Sequence, residues 1–247
     1  MYKTQVNQIR GLDSKSYEIL RNLCYHSARL YNYALYNVKQ TFNDTKTYLR
    51  YEQNYHHCKL NENYQILPSV IGQQTLKIVD RSFHSFFGLL KAKKDDYKDV
   101  KISPPNFLPK TGYFQLTIPS NGFNIKEGVL HIGLSKAMQK AENIKGIKLP
   151  FPKQIAPNSV KEIRIHPKSK ARYFNLEIVY HEEEVNLNLD KQNILSIDIG
   201  LNNLATCFDV KNSKSFIISG KPIKSINYYY NKQRANLQSI KDLQNIK

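Results

Sequence analysis

Ile194-Leu195-Ser196-Ile197-Asp198-Ile199-Gly200 is an apolar strand interrupted by one carboxylate. An ionised carboxylate inside an apolar strand costs several kcal/mol unless a positive group pairs with it. A divalent cation is the usual partner, and a strand end supplies the rigidity such a ligand needs. Asp198 is therefore the expected catalytic and metal-binding residue, and Gly200 lets the chain turn close to it. The plainer alternative is an Asp that caps the following turn.

Outward from this strand, Leu204–Phe208 and Ser215–Ile218 are expected as the next two strands, with a helix over 224–247. Upstream the hydrophobic period is two, over Tyr113–Ile118, Gly122–Ile125, Val129–Leu134, Val160–His166 and Tyr173–Tyr180. Asn121-Gly122 and Glu127-Gly128 are hairpin-type signals between these strands. Further upstream the pattern is helical. Asp13 or Ser14 caps a helix with Leu20, Leu23, Cys24, Ala28, Tyr31, Ala34, Leu35 and Val38 at three- and four-residue spacing, broken by Asn43-Asp44-Thr45. A poorer helical stretch covers 47–58. Pro68-Ser69 opens a strong helix with Ile71, Leu76, Val79, Phe83, Phe86 and Phe87 on its apolar side, ending in the charged connector Lys91–Asp96. The opening strand, Tyr2–Ile9, has no local sheet, so it pairs with the later β block and makes the helical block an insertion. The change of period predicts separate modules.

The 37 Lys+Arg against 20 Asp+Glu give a formal charge of +17. A/T-rich codon usage accounts for part of the Lys excess, yet this charge attracts polyanions at long range, and nucleic acid is the first expectation. The basic residues are spread along the chain and not gathered on one amphipathic helix, which argues against a membrane surface. No apolar run approaches the ~18 residues of a membrane span, and the N-terminus lacks a secretory stretch. Cys24, Cys58 and Cys207 form no Cys-x-x-Cys pair, which argues against a disulfide framework and a four-cysteine zinc site. A cytoplasmic location with no membrane partner and no zinc is the expectation. Cys24 and Cys207 read as core residues, and His56-His57-Cys58 as too closely spaced to share a ligand.

Asp-x-Gly after an apolar strand serves as a ligand element in the two-metal sites of RNase H-like nucleases, and as a phosphate-side element in actin-like ATPases. The latter needs a second phosphate loop downstream, and only 47 residues follow Gly200. Residues 197–206 resemble the first RuvC motif of the TnpB/OrfB proteins of insertion sequences, relatives of type V CRISPR effectors. Ser27–Leu35 resembles that family's Arg-x-x-Tyr-Asn helix. Leu67–Gln74 through Phe86-Phe87 resembles its Leu-Pro…Gln-Gln…Phe-Phe helix, and Lys221–Lys224 leading into Asn231–Arg234 resembles its segment after the third RuvC strand.

The resemblance implies an α+β, multi-module architecture. A helical recognition domain (13–103) is inserted in a wedge-type β-barrel (1–12 and 104–190), followed by an incomplete RuvC-like, RNase H-like α/β module (191–247). It implies a transposon-encoded RNA-guided DNA endonuclease whose partners are a transposon-derived guide RNA and target DNA, with Mg²⁺ in the intact site. Arg29, Asn32, Gln73, Gln74, Lys77 and Arg81 are the expected nucleic-acid contacts. Phe83, Phe86 and Phe87 are expected in the core, and one of Tyr228-Tyr229-Tyr230 is expected to pack inward.

The chain also departs from the family. After Glu184 it contains no glutamate, and beyond Asp198 the acidic residues are Asp209 and Asp242, read as a turn residue and a helix-surface residue. The family's Cys-x-x-Cys insert and final Asp motif are absent. The expectation is the N-terminal portion of a longer protein, with nucleic-acid binding retained and Mg²⁺ binding and cleavage weak or lost. The alternatives are a nuclease-dead RNA/DNA-binding module or repressor, and an actin-like ATPase fragment.

Overall fold

Strand β1 (Tyr2–Gln8) pairs antiparallel with a strand more than 160 residues away, β7 (Tyr173–His181), from Tyr2 opposite His181 to Gln8 opposite Asn175. This is the long-range pairing expected of an opening strand with no local sheet. In this computed structural model the described residues are 1–92, 102–183 and 189–244. The Lys93–Asp96 part of the expected connector and the last three residues of the expected terminal helix lie outside them. The chain divides into two compact units, Met1–Glu183 and Glu184–Lys247.

After β1 come four helices. Helix α1 (Ser14–Thr45) starts where Asp13 accepts a 2.8 Å hydrogen bond from the Ser16 amide. The Ser16 side chain and this amide together hold the Asp13 carboxyl below its ordinary range. The helix ends at Lys46, which takes a left-handed φ of 57° and donates its N–H to the Phe42 carbonyl. Helices α2 (Tyr51–Cys58) and α3 (Glu62–Ile66) are short, and α4 (Ser69–Ala92) follows Pro68. Gly72 permits close packing at the start of α4, because a Cβ there would lie 2.7 Å from the Tyr64 ring.

Strands β2 (Leu116–Pro119), β3 (Phe123–Lys126), β4 (Val129–Gly133), β5 (Gly146–Pro150) and β6 (Val160–Lys168) complete the first unit with β7; α5 (Lys136–Glu142) lies between β4 and β5. They form two sheets, with orders β1-β7-β6-β2 and β3-β4-β5. Glu127-Gly128 makes the β3–β4 hairpin with positive φ at both residues (52° and 73°), as its sequence predicts. Asn121-Gly122 does not make the expected hairpin. A 3-10 turn over Ser120–Gly122 instead carries the chain from one sheet to the other, and β2 pairs with β6. Helix α5 and strand β5 were not predicted.

The helical block and the β block share one core. A single buried cluster runs from Ile19, Leu20 and Leu23 on α1 through Ile71 and Leu76 on α4 to Ile118, Ile163, Ile165 and Ile178 in the sheet. Each such side chain contributes roughly 1.5–3 kcal/mol on burial. At the junction the Ser27 hydroxyl meets Thr75 Oγ1 at 3.2 Å and donates to the Gln115 carbonyl at 3.0 Å, tying α1, α4 and the lead into β2 together.

The second unit contains β8 (Leu195–Ile199), β9 (Asn203–Asp209), β10 (Lys214–Ser219) and α6 (Lys221–Leu243), with the sheet order β10-β9-β8. Its strands and helix fall where the sequence predicts. Its burial is slight: among its described residues only Ala205, Cys207 and Gly220 are buried. Among the described residues no helix is long and apolar enough to cross a membrane.

Candidate nucleic-acid interface and the Asp198 strand

Of the six expected nucleic-acid contacts, Gln73, Gln74, Lys77 and Arg81 lie on α4, at a spacing that places them along one side of the helix. The two glutamines are half-buried, and Lys77 and Arg81 are exposed. The Lys77 ammonium sits 5.4 Å from the centre of the Tyr51 ring, a cation–π contact that fixes it beside α2. Arg81 borders a polar hollow of about 300 Å³ between α4 and the sheet, shared with Ser82, Gln115, Thr117 and Arg164. Arg164 is held by Glu162 (2.6 Å) and Glu177 (3.0 Å), and His166 shares Glu177 at 2.5 Å. Arg81 is thus the cation in this hollow with no carboxylate partner among the described residues.

Arg29 lies on α1 with its guanidinium 4.3 Å from the Tyr25 ring centre. Asn32, also on α1, is half-buried and hydrogen-bonded to Leu108. Its amide donates to the Leu108 carbonyl at 2.9 Å and its oxygen accepts from the Leu108 N–H at 2.8 Å. Both polar ends of the side chain thus help to seat the 107–114 segment against α1. Sequence reasoning missed Arg21, Tyr25 and Tyr51 at this surface. The available signal was the Arg21–Tyr25–Arg29 spacing of four, which lines them on one helix face.

The aromatic expectations divide. Phe83 is buried, Phe86 and Phe87 pack against it, and Phe87 also meets Tyr48. Burial and the hydrogen bond to Asp80 push the Tyr48 phenol well above its ordinary range. Tyr228, Tyr229 and Tyr230 are 72, 64 and 61% exposed, so none packs inward. Cys24 and Cys207 are buried as expected; burial pushes the Cys24 thiol up strongly. Cys58 is buried as well and donates to Asn54 Oδ1, with its thiol raised to about 12 by burial.

Asp198 departs from the expectation in one respect: its strand is exposed along its length. β8 is an edge strand, with Ile197 57% and Ile199 79% exposed, so the carboxylate carries no burial penalty. Asp198 pairs across to Thr206, and Leu195 to Asp209. The two-residue period therefore puts Asp198 and Asp209 on opposite faces of the sheet. Asp209 is bound within its own turn by the Asn212 side chain (2.6 Å) and the Lys211 and Asn212 amides, which hold its carboxyl below the usual range. Asp242 accepts from Gln238 on the surface of α6. Among the described residues no three His, Cys, Asp or Glu side chains converge as metal ligands. A two-cation phosphodiester centre needs several converging carboxylates. The donor set present, one exposed carboxylate, does not fit that group.

No curated protein matches the chain. Among solved structures it is similar to a cryo-EM Cas12f1–sgRNA–target DNA complex, at 15% identity and a TM-score of 0.45, covering 96% of this chain and 62% of that one. It is also similar to a cryo-EM CRISPR-Cas12f ternary complex, at 14% identity and a TM-score of 0.44, covering 91% of this chain and 52% of the other. The chain thus spans about half to three-fifths of the length of these two structures. Residues 177–247 match the family model OrfB_IS605, described as a probable transposase.

Proposed function

We propose that this chain is the nucleic-acid-binding part of a transposon-encoded, RNA-guided DNA endonuclease of the TnpB type. Its partners are a transposon-derived guide RNA and target DNA. The observation that carries this reading is the OrfB_IS605 match over 177–247, the segment holding Asp198 on β8. The charge of +17 supports it, because a guide–target heteroduplex is held through its backbone, and base pairing supplies the sequence selectivity. On this reading residues 13–103 are the recognition domain, 1–12 and 104–190 the wedge-type barrel, and 191–247 the RuvC-like module. In a complete module of that type Asp198 would supply one of the several carboxylates that hold Mg²⁺.

On this reading the described residues do not complete a cleavage centre. Asp198 has no second carboxylate on its face of the sheet among the described residues, and Mg²⁺ gives up its waters reluctantly to a single ligand. The test pairs two assays on the purified chain: binding to structured RNA, and plasmid nicking in Mg²⁺ and in Mn²⁺. RNA binding without nicking is the expected result. Nicking that disappears in Asp198→Ala would overturn the cleavage-deficient part of the proposal, and failure to bind RNA at low salt would overturn the rest.

A further inference from the structure

Arg29, one of the six expected contacts, belongs to a longer row of side chains on α1. Arg21, Tyr25, Arg29 and Tyr36 follow at intervals of four, four and seven, so they form one stripe along the outer side of the helix. The 107–114 segment runs beside that stripe. It is pinned by the two Asn32–Leu108 hydrogen bonds and by the Phe114 N–H donating to the Cys24 carbonyl at 2.9 Å. It adds one ring near each end of the stripe. The Arg21 guanidinium lies 5.6 Å from the Tyr113 ring centre and donates to its hydroxyl at 3.1 Å, while the Lys39 ammonium lies 4.7 Å from the centre of Phe107. With Arg29 over Tyr25 this makes three cation–ring pairs in a row.

We propose that this stripe is a stacking track for unpaired nucleobases, an inference that rests on the nucleic-acid reading above. The rings remain open: Tyr25 is 40%, Tyr36 54% and Phe107 50% exposed. Arg29 lies over Tyr25 and Lys39 over Phe107, so each cation is within reach of the phosphates of a strand that stacks its bases on the exposed part of the ring. Among the described residues the one acid paired with these cations is Glu18, 3.9 Å from Arg21. From residue 21 to residue 39 the helix rises about 27 Å, roughly eight nucleotides at the 3.4 Å spacing of a stacked strand. A protein partner fits less well, because the stripe interleaves rings with cations and carries no aliphatic anchor. A duplex fits less well, because its base faces are already occupied.

The experiment uses the full chain and three labelled probes: a 12-nucleotide pyrimidine RNA, the same sequence as single-stranded DNA, and its 12-base-pair duplex. Anisotropy is read between 50 and 200 mM salt. Tyr25→Leu and Phe107→Leu each weaken single-strand binding about fivefold or more with the salt slope unchanged, whereas Arg29→Gln lowers the slope by about one. A preference for RNA identifies the RNA as the strand whose bases stack, and a preference for DNA identifies the DNA strand. On the unaltered protein, 5-iodouridine in the RNA crosslinks to Tyr25, Tyr36 or Phe107, a readout independent of any effect of substitution on folding. Single-strand binding that survives both ring substitutions with crosslinks mapping elsewhere overturns the track and leaves the functional reading standing. Absence of binding to all three probes overturns the functional reading itself.

Discussion

Replacing Asn32 by alanine removes both hydrogen bonds that seat the 107–114 segment, at 2.9 and 2.8 Å. It also leaves the half-buried Leu108 N–H and carbonyl without partners. Each bond contributes about 1 kcal/mol net and each orphaned group costs up to a few more, so the expected loss is roughly 2–3 kcal/mol. For a unit of this size that corresponds to a fall in Tm of roughly 5–10 °C. The assay is thermal unfolding followed by tyrosine near-UV dichroism, which is sensitive to the Tyr31–Phe114 and Tyr25–Tyr113 contacts at this segment. Asn32→Asp is the informative second variant. It keeps the acceptor for the Leu108 N–H but sets a carboxylate oxygen against the Leu108 carbonyl, so it recovers less than half of the loss. A Tm for Asn32→Ala within 1 °C of wild type would refute the clamp.

Asp198→Ala changes stability by less than about 0.5 kcal/mol, because the side chain is exposed and removing it relieves no buried charge; urea unfolding measures this, and a gain above 1 kcal/mol would restore the buried-carboxylate reading. Amides of β8–β10 exchange hydrogen faster than those of β6 and β7, whose Ile163, Ile165 and Ile178 are fully buried, and hydrogen exchange with mass spectrometry would show equal protection if this is wrong. The three free thiols are buried, with Cys24 and Cys58 raised by burial, so native protein at pH 8 reacts slowly with a thiol reagent and the unfolded chain titrates three. Rapid modification of native protein at Cys24 would contradict the packing of α1.

Patterns that depend on neighbours in sequence were legible. The caps and apolar stripes of α1 and α4, the Glu127-Gly128 hairpin and the order of strands and helix after Asn193 all follow from local spacing. The pairing of β1 with β7 was legible for a different reason, since an isolated alternating strand must find a sheet somewhere. Asn121-Gly122 misled because the same dipeptide serves a turn between sheets. Helix α5 and strand β5 were missed because α5 offers only Met138 as a large apolar residue, and β5 is short with a glycine at its start.

At the site, residue type was more legible than environment. Asp198 was located correctly on its strand, but apolar sequence neighbours implied burial, and an edge strand with open faces does not provide it. The seating role of Asn32 was not legible because its partner, Leu108, is 76 residues away. The rings of Tyr113 and Phe107 became part of the α1 surface through the same long-range seating, which no local period records.

The most direct measurement of the central claim is the affinity of the full chain for structured RNA as a function of salt. About six to ten phosphate contacts predict a fall of roughly 10³–10⁵-fold between 50 and 200 mM salt. An affinity that does not change over that range, or no RNA binding at 50 mM, would contradict it.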